Sequence, residues 1–70
     1  MKKFENLSPA LKNLIQKSCQ NSDEFSSKTP EVLYINIANS LRSFDIKKAA
    51  EIFNVSTVLC YMIKQELEEN

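Results

Sequence analysis

The chain has no glycine, histidine or tryptophan, and only two prolines and two cysteines among its 70 residues. Without glycine, and with so little proline, the tight reversals of an all-β fold have few residues to sit on, so helices are the economical architecture. Without histidine, and with Cys19 and Cys60 far apart rather than in a Cys-x-x-Cys pair, the usual zinc ligand sets and any Cys-His catalytic pair are excluded. The two thiols are expected to be reduced, semi-buried packing groups. Net charge is lacking as well: nine Lys and Arg against nine Asp and Glu sum to zero, so any nucleic-acid surface has to be a local patch. No run approaches the roughly 18 consecutive apolar residues of a membrane span. The opening MKKFENLSPA also lacks the apolar stretch that a secretory signal carries after its lysines. The expected location is the cytoplasm.

These absences bear on chemistry. With no histidine, no Gly-rich phosphate loop and no pair of carboxylates fixed in a cleft, the chain is expected to be neither an enzyme nor a binder of a cofactor, metal or small-molecule substrate. Its length fits one helical domain, residues 1–70, near the lower limit at which a single core holds a fold unaided, and a homodimer would relieve that shortage.

The residues that are present spell out four helices, so the expected fold class is all-α. Ser8-Pro9 supplies a capping hydroxyl and a proline at the first helical position, starting a helix over about 8–20. Leu7, Leu11, Leu14, Ile15 and Ser18 share its inner face. The polar stretch Asn21 to Lys28 reads as a loop, with Phe25 pinning it to the core. Thr29-Pro30 repeats the start signal for a helix over about 30–43, with Leu33, Ile37, Leu41 and Phe44 along one stripe and Tyr34 as a packing residue. The segment VLYINI is β-rich in composition, but a lone strand would have only another chain to pair with. Asp45 caps a third helix over about 45–53, although Ser43 is a competing start. Asn54 ends it in a conformation with positive φ, and Ser56 caps a fourth helix over about 57–68. Leu59, Cys60, Ile63 and Leu67 face inward on that helix, and Glu66, Glu68, Glu69 and Asn70 form a solvated, fraying end.

The most informative stretch is Asp45 to Leu67. A helix-turn-helix needs a small residue where its helices cross, a turn residue four positions later and apolar residues behind it. Ala50, Asn54, Val55, Cys60 and Ile63 fall at those offsets, with Ala49 and Phe53 in the preceding apolar slots. An unrelated antiparallel hairpin of helices is the alternative. The run KKAAEIFNVS followed by Tyr61 resembles the C-terminal DNA-binding unit of the factor for inversion stimulation and of bacterial enhancer-binding activators, which carry a K-A-A-x-x-L-G-[IV]-S core. The resemblance rests on Lys48, Ala49, Ala50, Phe53, Val55, Ser56 and Tyr61, roughly the last third of the chain. It implies that the two preceding helices form a dimer that sets both recognition helices on adjacent grooves. The chain departs from the pattern where DNA contact would occur: Thr57 and Met62 stand where the family has Arg or Lys, Asn54 replaces the turn Gly, and Ile63 lies one place before the family's late Leu.

If the fourth helix enters the major groove, Ser56, Thr57, Val58, Tyr61, Met62 and Gln65 point outward. Ser56 and Thr57 then donate to phosphates, Val58 touches a thymine methyl, Gln65 and Lys64 carry the only direct-readout groups, and Arg42, Lys47, Lys48 and Lys64 flank the backbone. The expected function is a small DNA-binding transcriptional, phage or plasmid regulator acting on double-stranded DNA. The alternative is a non-enzymatic interaction module, an inhibitor or adaptor that binds a protein through Val58, Tyr61 and Met62. Both are compatible with a homodimer built on Leu33, Ile37 and Leu41.

Overall fold

Four short polar side chains set the starts of four helices. The computed structural model describes residues 2–21 and 29–68. After a single 3₁₀ turn at Phe4–Asn6, α1 spans Pro9–Asn21, and the Ser8 hydroxyl accepts the Leu11 amide at 3.3 Å. Helix α2 spans Pro30–Ser40, with the Thr29 hydroxyl accepting the Val32 amide at 3.3 Å. Helix α3 spans Ile46–Phe53, and the Asp45 carboxylate accepts the Lys48 amide at 2.7 Å, so the helix starts at Asp45 and not at Ser43. Helix α4 spans Thr57–Glu68, with the Ser56 hydroxyl accepting the Leu59 amide at 3.1 Å. Each contact satisfies one of the amides that a helix start leaves without an internal partner. No strand occurs among the described residues, and VLYINI is helical.

The turn between α3 and α4 rests on Asn54, whose φ of 54° and ψ of 47° place it in the left-handed region. The Val55 amide reaches back to the Ala50 carbonyl at 3.0 Å and the Asn54 amide to the Glu51 carbonyl at 3.3 Å. This paired 6→1 and 5→2 arrangement closes the end of α3 and sends the chain directly into the Ser56 cap.

Helix α4 packs against α1, α2 and α3 in turn. Leu59, Cys60 and Ile63 meet Leu11 and Ile15 of α1, Leu33, Tyr34 and Ile37 of α2, and Ala49 and Ala50 of α3 in one buried cluster. Leu7 and Cys19 extend it, and Leu14, Leu41, Phe53 and Leu67 border it half-buried. Fully buried residues on α3 are only alanines, whose short side chains allow its axis to approach its neighbours closely.

Several expectations need correction. Helix α2 stops at Ser40, and the Phe44 amide bonds the Ser40 carbonyl at 2.8 Å in the turn that follows. That reversal frees Asp45 to cap α3, and it turns Phe44 out of the apolar stripe to 47% exposure. Leu33 and Ile37 are wholly inside the chain's own core and Leu41 is half-buried, so the stripe proposed as a dimer face is already used. Cys19 and Cys60 are buried thiols, neither of them in a disulfide. Glu66 is not part of a solvated end: its carboxylate meets the Lys2 ammonium at 2.8 Å. Lys2 is thereby fastened to α4. Its backbone carbonyl also accepts the Tyr34 hydroxyl at 2.7 Å, and Phe4 packs its ring obliquely on Tyr34 at 6.2 Å. Phe25, Glu69 and Asn70 lie outside the described residues. Among the described residues, no helix is long and apolar enough to cross a membrane.

Two stability outcomes are expected. Asn54→Val forces a β-branched residue into the left-handed region at about 1–2 kcal/mol, lowering Tm by roughly 4–8 °C per kcal/mol, whereas Asn54→Gly leaves Tm unchanged or slightly raised in a thermal melt. Leu33→Ala costs about 2–5 kcal/mol in urea unfolding without changing the folded protein's mass by light scattering. A drop in mass with unchanged stability would return Leu33 to an intermolecular surface.

Candidate nucleic-acid interface

Because α4 buries Leu59, Cys60 and Ile63, its opposite side is fixed outward. Thr57, Val58, Tyr61 and Gln65 lie there, with Val58 at 61% and Tyr61 at 53% exposure. Ser56, at the head of the helix, is exposed although its hydroxyl serves as the cap. Met62 departs from the expected outward set: it is half-buried and packs on the core, leaving Val58 and Tyr61 as the exposed apolar pair. The Gln65 amide nitrogen donates to the Tyr61 hydroxyl at 2.7 Å, one helical turn back.

Sequence reasoning missed Ile46. It lines an open hollow of about 350 Å³ together with Thr57, Val58 and Tyr61, where the start of α3 runs beside the start of α4. The available signal was its place directly after the Asp45 cap, but only the crossing of α3 over α4 makes that position a neighbour of Tyr61. A second depression lies further along α4, lined by Leu41, Arg42, Lys64, Leu67 and Glu68.

The cationic candidates are spread over three segments of the chain. Lys47 and Lys48 are exposed on the first turn of α3, and Arg42 is exposed in the turn after α2. Lys64 is half-buried beside Glu68. Arg42 and Lys64 are brought together at the second depression, while Ile46, which directly precedes Lys47 and Lys48, lines the first.

No known protein family, curated protein or solved structure matches the chain. The site is therefore read from its own chemistry. Among the described residues no cluster of three or more His, Cys, Asp or Glu side chains has the arrangement to hold a metal ion.

The resolved proton affinities belong to the core behind this face. Burial pushes the Cys60 thiol above its ordinary 9.0. Burial, and secondarily the Glu66 charge, pushes the Tyr34 phenol above its ordinary 10.0, with Lys2 opposing. Both groups hold their protons more tightly when folded, so the stability they contribute is fully present at neutral pH and is lost as pH rises past the unfolded values. Urea unfolding from about pH 7 to about pH 10.5 should show constant stability and then a decline beginning near pH 9. Tyr34→Phe removes the upper part of that decline; a stability rising with pH in this window contradicts the assignment.

Proposed function

We propose that the protein is a small, non-enzymatic DNA-binding regulator of the cytoplasm that uses α3, the Asn54 turn and α4 as a helix-turn-helix, with α4 entering the major groove. The observation that carries the reading is the free outer face of α4, Thr57, Val58, Tyr61 and Gln65, held across the turn from the exposed Lys47 and Lys48. A helix seated this way offers side chains to base edges while cations at its margin meet phosphates. The resemblance of Lys48, Ala49, Ala50, Phe53, Val55, Ser56 and Tyr61 to inversion-stimulation and enhancer-binding proteins supports the same use. Lys47, Lys48, Arg42 and Lys64 are the phosphate-side groups; Ser56, Thr57, Val58, Tyr61 and Gln65 face the groove. Few charges per domain favour a pair of domains on adjacent grooves. Since Leu33 and Ile37 are inside the core, such a homodimer has to use residues that remain outside it.

A second reading is favoured by the hollow of Ile46, Thr57, Val58 and Tyr61, which is almost wholly apolar. Such a surface on a chain of zero net charge suits an inhibitor or adaptor that anchors a protein partner.

Fluorescence anisotropy with labelled mixed-sequence duplexes at low and near-physiological salt separates the two. The DNA reading expects binding that weakens steeply with salt, a salt slope smaller by about one in Lys48→Glu, and weaker binding by Thr57→Ala, with Tm unchanged in both variants. Affinity untouched by both substitutions removes this surface from DNA. The protein reading expects Tyr61→Ala to lose a captured partner with no change in Tm.

A further inference from the structure

We propose, resting on the DNA reading, that the outer face of α4 selects A·T pairs through the thymine methyl group. The face is notable for what its polar groups leave unclaimed. Guanine is ordinarily read by a bidentate Arg or Lys, yet the one such group on α4, Lys64, is half-buried beside Glu68, and Lys47, Lys48 and Arg42 are exposed outside that helix, on α3 and in the turn after α2. Adenine is ordinarily read by an Asn or Gln amide, and the only amide on α4, that of Gln65, is turned onto the Tyr61 hydroxyl at 2.7 Å. The centre of the face is Val58, 61% exposed and opening into the hollow formed with Ile46, Thr57 and Tyr61.

In the major groove the one apolar group that any base presents is the C5-methyl of thymine. Val58 is β-branched, so in a helix its side chain is held in essentially one rotamer and its methyls are set before DNA arrives. The charge pattern agrees with this occupant: cations at the margin match the phosphate rails, and a neutral apolar centre matches the methyl-bearing edge between them. Selectivity rests on the methyl alone: the major-groove edges of A·T and G·C pairs each carry two acceptors and one donor that an apolar surface leaves without partners, so the methyl is the difference that Val58 reads.

The test uses the full chain and two duplexes of identical A·T sequence, one with thymine and one with deoxyuridine, which keeps every hydrogen-bonding group and lacks only the methyl. A G·C duplex of equal length is the third arm. Wild-type protein is expected to bind the thymine duplex most tightly, with about a fourfold loss for each contacted methyl removed. Val58→Ala, at an exposed position, is expected to keep its Tm and to bind the thymine and deoxyuridine duplexes equally. Equal wild-type affinity for those two duplexes overturns the methyl readout while leaving DNA binding intact. A thymine preference that survives in Val58→Ala overturns it too, since duplex flexibility would then be its source. No binding to any duplex at low salt overturns the DNA reading itself and assigns the hollow to a protein partner.

Discussion

Burial of the inner face of α4 is the constraint on which the rest of the molecule depends. Leu59, Cys60 and Ile63 have no solvent exposure, and all three other helices pack on that helix. Leu59 and Ile63 each contribute about 1.5–3 kcal/mol when withdrawn from water, a large share of what a 70-residue chain can muster. A helix held from three sides has no rotational freedom, so whatever does not face the core is presented in one orientation. The outward positions of Thr57, Val58 and Tyr61 are thus a consequence of core packing. The alanines of α3 serve the same end by letting that helix lie close enough to set the hollow at Ile46.

Local chemistry was readable in the sequence because it acts over a few residues. Ser8, Thr29, Asp45 and Ser56 each cap as their chemistry requires, and Asn54 occupies the left-handed turn that only Gly would fill more easily. The all-helical architecture follows from those signals with the apolar spacing. What the sequence left open is set by distance in space. Periodicity marks Leu33, Ile37 and Leu41 as an apolar stripe, but the same stripe suits a neighbour in this chain or in another, and only the packing decides. Phe44 continues the numerical pattern after the helix has ended. The contact between Lys2 and Glu66 spans nearly the whole chain and carries no local mark. The candidate face was legible in Thr57, Val58, Tyr61 and Gln65, and misjudged at Met62, which lies just far enough round the helix to pack inward.

The distribution of charge shapes what this face can do more than the total does. A formal charge of zero coexists with exposed Lys47 and Lys48: Asp45 caps the turn that carries them, and Glu66 is set against Lys2. The outward face is left with little charge of its own and an apolar centre. On such a surface electrostatics acts from the margins and weakens as salt screens it.

The fastening of Lys2 has a topological consequence. Its ammonium holds Glu66 near the end of α4, while its carbonyl holds Tyr34 in the middle of α2. The described chain therefore closes into a ring, with Lys2 acting as a clasp across its last helix. Peeling the last turn of α4 breaks the contact to the leading segment, and lifting that segment uncovers the Tyr34 ring.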